Sequence, residues 1–202
     1  MFAAALMLAL GACTTARETS PPRTATEQLL ISTAADRAAE RLTLRIPSGA
    51  KVFIDAGYVE GLDSKYAIGA VRDRLLKLGA KLVAERPEAD MVVELRVGAL
   101  SVDEGEMLIG IPEYDVPIPL TGAVSLPEIA LFKRGERKGV AKLAATGYSA
   151  EDGSLIDSSG PRFGFSHETE WVILLFFSWS TSDLVPEDEQ ESPFRIETPT
   201  LP

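Results

Sequence analysis

Met91-Val-Val-Glu-Leu-Arg-Val-Gly-Ala-Leu-Ser-Val102 is the stretch on which the fold turns. Val93, Leu95, Val97 and Ala99 fall on one side of an extended chain, Glu94 and Arg96 on the other, which predicts a long strand with one buried face. Upstream, Lys81-Leu-Val83 and Lys51-Val-Phe-Ile-Asp55 read as shorter strands, with Glu85 to Ala89 as a turn or one helical turn. Ile68, Val71, Leu75 and Leu78 recur at helical spacing between those two strands, and Gly79 supplies a C-cap. Further upstream, Thr24-Ala-Thr-Glu27 has the capping-box pattern and opens a second helix over about 25–43. Helix, strand, helix, strand, strand predicts an α+β fold: a mixed or antiparallel sheet with two main helices packed on one face.

Downstream the expectations change character. Ile109 to Leu126 carries Pro112, Pro117 and Pro119 among apolar residues, too many prolines for a central strand. A segment that apolar must cover its own core or meet a partner. Ile129 to Lys133 and Val140 to Tyr148 read as a hairpin around Arg134–Gly139, and Leu155-Ile-Asp157 pairs back over the Asp152-Gly153 turn. Trp171-Val-Ile-Leu-Leu-Phe-Phe-Ser-Trp179 has one polar residue, is too short to span a bilayer as a helix, and reads as a fully buried strand.

The whole chain has 202 residues, 46% of them hydrophobic, with 20 Lys+Arg against 30 Asp+Glu, hence a net charge of -10. That length suits one domain, and that charge provides no footprint for nucleic acid. One Cys and one His exclude a zinc site built from those residues alone and any disulfide within the chain. Asn is absent, which removes Asn-linked glycosylation and Asn-dependent triads.

Met1 to Ala12 is apolar and uncharged, about 18 Å as a helix against a hydrocarbon core of about 30 Å, and has the length of a signal-peptide h-region. It leads into Leu10-Gly11-Ala12-Cys13, which resembles the lipobox of bacterial lipoproteins. The resemblance implies cleavage after residue 12 and lipid attachment at Cys13. Thr14 in place of Asp at the following position implies sorting to the outer membrane. The expected organisation is a signal peptide over 1–12, a lipidated Cys and flexible tether over 13–23, a single domain over 24–180, and an acidic tail over 181–202. From Pro186 onward that tail holds five acids against Arg195.

Several stretches are similar to a bacterial lipoprotein family known only as a domain of unknown function. They are Pro22-Arg-Thr-Ala-Thr-Glu-Gln-Leu-Leu30, Lys51–Asp55, Ala89-Asp-Met-Val-Val-Glu-Leu-Arg-Val97, Pro127-Glu-Ile-Ala-Leu-Phe-Lys133, Gly139-Val-Ala-Lys-Leu-Ala144 and Ser158-Ser-Gly-Pro161. The resemblance brings no activity, cofactor or catalytic residue. More distantly, the pattern is similar to small envelope lipoproteins that act as assembly or transport accessories.

Three places carry residues that could do chemistry. Gly164-Phe-Ser166-His167-Glu168 lacks the second Gly of a nucleophile elbow, and neighbours on a strand face opposite ways, so Ser166 and His167 are not expected to pair. Asp103, Glu104, Glu106, Glu113 and Asp115 lack calcium-loop spacing and are expected to be solvated loop carboxylates. Lys133, Arg134, Arg137 and Lys138 crowd the expected hairpin tip, as edge protection or as a contact for anionic lipid. The expectation is therefore an outer-membrane lipoprotein facing the periplasm: not an enzyme, without metal or cofactor, attached through Cys13, and binding an envelope partner or its own copies. The alternatives are a hydrolase using the carboxylates of Asp103 to Asp115, and an oligomer packing through 109–126.

Overall fold

The computed structural model describes residues 23–61, 63–118 and 122–185. The expected signal peptide, Cys13, nearly all of the tether and the acid-rich tail beyond Val185 lie outside them. Helix α1 (Ala25–Glu40) starts at Thr24, whose hydroxyl accepts the Glu27 backbone N–H at 3.1 Å. Its stripe of Leu30, Ile31, Ala34, Ala35, Ala38 and Ala39 is buried. Strand β1 (Lys51–Asp55), helix α2 (Ser64–Lys77) and the two-residue strand β2 (Lys81–Leu82) follow. Gly79, at φ 95°, closes α2 in the left-handed conformation its missing Cβ permits. A 3₁₀ turn at Arg86–Glu88 precedes β3 (Met91–Ile111). The small hairpin β4 (Tyr114–Ile118) and β5 (Gly122–Leu126) comes next, then β6 (Ile129–Ser149), β7 (Leu155–Ile173) and β8 (Phe177–Ser182).

The six-stranded sheet has the order β2-β1-β3-β6-β7-β8, with β4 and β5 forming a separate pair. β1 runs parallel to β2 and β3, and every other pairing is antiparallel. The fold is α+β with a mixed sheet, as expected. α1 packs on β6 and β7, and α2 packs on α1. One core unites Ala34, Ala38, Leu42, Val52, Val71, Leu75, Val93, Leu95, Ala141, Leu143 and Ala145.

Length explains the asymmetry of the molecule. β3 and β6 have 21 residues each, about 70 Å at about 3.3 Å per residue, whereas α1 has 16, about 24 Å at 1.5 Å per residue. The helices therefore cover only one half of the sheet. Beyond Val102 and Gly139 the strands continue as a ribbon that no helix covers.

Several expectations are corrected. β3 does not stop at Val102, and a bulge between Val97 and Ala99 re-phases it. Leu100 rather than Ala99 consequently packs on the core after Val97. Arg134–Gly139 is not a hairpin tip: it lies inside β6, paired with β3 on one side and β7 on the other. Trp171–Trp179 is not one buried strand but the end of β7, a turn, and the start of β8, with Leu174, Leu175, Phe176, Phe177 and Trp179 exposed. The domain boundary expected at 180 falls within β8. The Pro-rich segment is excluded from a central position, as its prolines require, but it is no lid on the core. Ile109 and Ile111 end β3, and Tyr114 and Leu126 are exposed on the β4–β5 hairpin.

Candidate functional site

The uncovered half of the sheet has two chemically distinct faces, fixed by α1. Ser166 is buried and its hydroxyl donates to the Leu30 carbonyl at 2.6 Å, which marks the helix side of β7. Residues opposite one another in paired strands share a face, so Gly139, Arg137, Gly135 and Lys133 continue that side along β6. Phe163, Phe165 and His167 lie on the outer side. Ser166 and His167 are thus separated by the sheet, and the expected absence of a dyad matches this geometry.

On the helix side, beyond the end of α1, Glu104, Glu106, Lys133, Arg137, Glu168 and Glu170 line a groove of about 310 Å³. Arg137 meets Glu168 at 3.1 Å, Glu104 at 3.4 Å and Glu170 at 3.6 Å. Lys133 meets Glu128 at 3.0 Å and Glu106 at 3.2 Å. Partial burial works to lower the Arg137 guanidinium, but its hydrogen bond to Glu168 and the fields of Glu170 and Glu104 outweigh that and raise it. The hydrogen bond to Glu128 leads the causes that raise the Lys133 ammonium. Five carboxylates surround these two cations, so the groove favours cations and repels phosphate.

The outer side carries Lys138 over the Phe165 ring at 4.5 Å and Lys142 over Phe163 at 5.5 Å, with Phe163 and Phe165 stacked at 6.2 Å. Toward the far end this side becomes apolar. One row across the sheet is Met107, Arg134, Trp171 and Trp179, and the next is Ile109, Phe132, Ile173 and Phe177. The two indoles stack at 5.7 Å and 17°.

The expected site residues therefore disperse. Asp103 faces outward while Glu104 and Glu106 face the groove, and Glu113 and Asp115 lie at the β4–β5 hairpin, where Asp115 accepts from the Ser125 hydroxyl at 2.5 Å. Of the four expected tip cations, Lys133 and Arg137 are committed to glutamates, Arg134 pairs with Glu136 at 3.0 Å, and Lys138 lies over an aromatic ring. Neither reading of that cluster keeps its geometry: β6 is an interior strand, so there is no edge to protect, and the four cations divide between two faces instead of crowding one tip. Among the described residues no cluster of three or more His, Cys, Asp or Glu has metal-binding geometry. Reasoning from sequence missed Glu168 and Glu170. Their alternation in His167-Glu-Thr-Glu170 was the available signal, with Lys133 and Arg137 four strand positions apart on the opposing run.

Residues 7–167 match the profile of DUF6655, a family of unknown function. The chain belongs to DUF6655. The DUF6655 match spans the helices, the core and the groove residues of β3 and β6, and ends at His167, just before Glu168 and Glu170. No curated protein and no solved structure matches the chain.

Proposed function

We propose that this DUF6655 chain is a lipoprotein held at the outer membrane through Cys13 and facing the periplasm. In this reading it acts without catalysis, as a binding or assembly accessory of the cell envelope. The observation that carries the reading is Leu10-Gly11-Ala12-Cys13 directly after an uncharged apolar run, with the chain's one cysteine at the position a lipobox requires. Two or three acyl chains on that residue, at about 0.8 kcal/mol per buried CH₂, suffice for stable anchoring. A binding role draws support from the ribbon. Its groove carboxylates are tied to Arg137 and Lys133, and its far end exposes Ile109, Ile111, Ile129 and Leu131. Ile109 and Ile111, with exposed Tyr114 and Leu126, favour the second reading, an oligomer packing through 109–126. The hydrolase alternative draws no support from Asp103 and Glu104, which project from opposite faces of β3.

Intact mass of the protein extracted from membranes tests the anchor. Loss of residues 1–12 with acyl mass on Cys13 is expected, and Cys13→Ala moves the protein to the soluble fraction. Wild-type protein recovered soluble with Met1 retained would end this reading. Cross-linking from Glu113→Cys in the Cys13→Ala background tests the oligomer, a second copy being the expected product if 109–126 is its interface.

A further inference from the structure

From Trp171 to Ser182 the chain carries no charged residue. These twelve residues form the β7–β8 hairpin end, and most of its large side chains face solvent, Phe176 at 84% and Phe177 at 66%. The turn itself departs from what water favours. Leu174 and Leu175 have φ of 50° and 66°, and the Phe176 N–H donates to the Ile173 carbonyl at 3.3 Å, a β-turn with both central residues left-handed inside the three-residue connection from Ile173 to Phe177. Such turns favour Asn and Gly, which tolerate positive φ and water alike. Two leucines here are strained in backbone and exposed in side chain. Stacked Trp171 and Trp179 sit one step back, and Ser178, Ser180, Thr181 and Ser182 supply neutral hydroxyls along the edge strand.

We propose that the β7–β8 hairpin end seats in the interfacial layer of a phospholipid bilayer, making a second, side-chain attachment to the membrane. Its orientation rests on the anchored-lipoprotein reading. The first turn of α1 lies beside Val97–Val102 of β3, where Arg23, Glu27 and Ile31 share a cleft with those residues. Leu30 bonds Ser166 of β7. Ile173 is seven residues beyond Ser166, about 23 Å at strand rise. The residues from Cys13 to Arg23 reach at most about 35 Å, so the acyl chains and the hairpin end can share one membrane plane. The apolar end, from the tryptophan row to the turn, is about 10 Å deep. That matches interfacial burial of about 5–10 Å and is far short of a core of about 30 Å. The hairpin therefore enters one leaflet, with the tryptophans at the headgroup level that indole rings favour.

Trp171 and Trp179 are the chain's only tryptophans, so intrinsic fluorescence reads this hairpin alone. Full-length protein recovered from membranes is reconstituted into phosphatidylcholine vesicles brominated either near the glycerol end or near the chain terminus. The shallow bromine should quench emission about twofold and the deep one less. Leu174→Asn with Leu175→Gly, which suits the turn and keeps both indoles, should lose at least half of that quenching while co-sedimenting with vesicles through its acyl chains. Co-sedimentation of the wild type with no quenching by either lipid overturns the proposal and leaves the anchor standing. If Cys13 proves unacylated, the anchor fails alone, and the hairpin is judged by the same quenching at saturating vesicles, present or absent. Indoles shielded from bromine in a protein that sediments as a dimer would assign the hairpin to a second copy and also overturn the proposal.

Discussion

Gly164 lies where α1 crosses β7, and a Cβ there would overlap the Ala34 carbonyl and the Ala38 N–H. Gly139, one strand over, would press its Cβ into the Leu30 carbonyl and the Ser166 hydroxyl. With the Ala34, Ala35, Ala38 and Ala39 stripe, these glycines let helix and sheet approach at backbone distance, so the obstacles are main chain and cannot rotate away. Gly164→Ala should therefore cost about 1–3 kcal/mol as overpacking. Gly160→Ala, which meets nothing within 4 Å, should stay within about 0.5 kcal/mol. Urea midpoints of the two variants check this, and a Gly164→Ala midpoint equal to wild type would mean that α1 is free to lift. Nothing in Gly139 or Gly164 announced this role in the sequence. A glycine in a strand signals a bulge, a bend or a close approach alike, and only the partner helix selects among them.

Asp183 works at the level of elements, clasping α1, β7 and β8. Its carboxylate accepts from Arg37 and from the His167 backbone N–H, both at 2.7 Å, and lies 3.5 Å from the His167 ring. Partial burial pushes this carboxyl up, but those donors and the Arg37 charge prevail and hold it below the ordinary range. Asp152, in the β6–β7 turn, is lowered to about 2 by the Ser154 backbone N–H, with help from the Ser154 and Ser149 hydroxyls. For both groups the folded value lies below the unfolded one of about 3.9. Their stabilisation is thus complete above that value and is lost as the pH falls through the folded values. Asp183→Asn should lose about 1–2 kcal/mol at neutral pH, discounted for solvent exposure, and should flatten the acid limb of thermal melts below about pH 4. An acid limb of unchanged slope would count against the clasp. Legibility also differed by element. Both helices and β1 to β3 were readable because one face of each is buried, which imposes a period on the sequence. Arg134-Gly-Glu-Arg-Lys-Gly139 imitated a turn because the partners of Arg137 and Lys138, namely Glu104, Glu168, Glu170 and Phe165, lie far away in the chain. Trp171–Trp179 imitated a core strand because an uncharged run has no period, and leucines do not signal a left-handed turn.

The whole molecule is a covered half and a bare half joined by continuous strands. The candidate surface was hidden from the sequence for this reason: exposure is decided by how far the helices reach along the sheet, a property of relative lengths rather than of any motif. From Phe132 to Tyr148, β6 has neighbouring strands on both sides, so backbone pairing alone makes the two ends of that stretch equivalent. Core packing does not. Amides of Ala141 to Gly147, under α1, should exchange as slowly as global unfolding allows, whereas those of Phe132 to Gly135 should exchange faster by opening of the ribbon. Hydrogen exchange read by mass spectrometry checks this, and equal protection along β6 would contradict it.

The seating of α1 on β6 and β7 also sets an order of events during biosynthesis. Leu30 finds Ser166, and Arg37 finds Phe165 and Asp183, across separations of 136, 128 and 146 residues. Contacts this distant in sequence make folding slow, in the range of milliseconds to seconds for sheet-rich domains. Helix α1 keeps its apolar stripe bare until β7, the last but one of the described strands, has been made. Until then the nascent chain offers that stripe to any holdase that binds extended apolar segments.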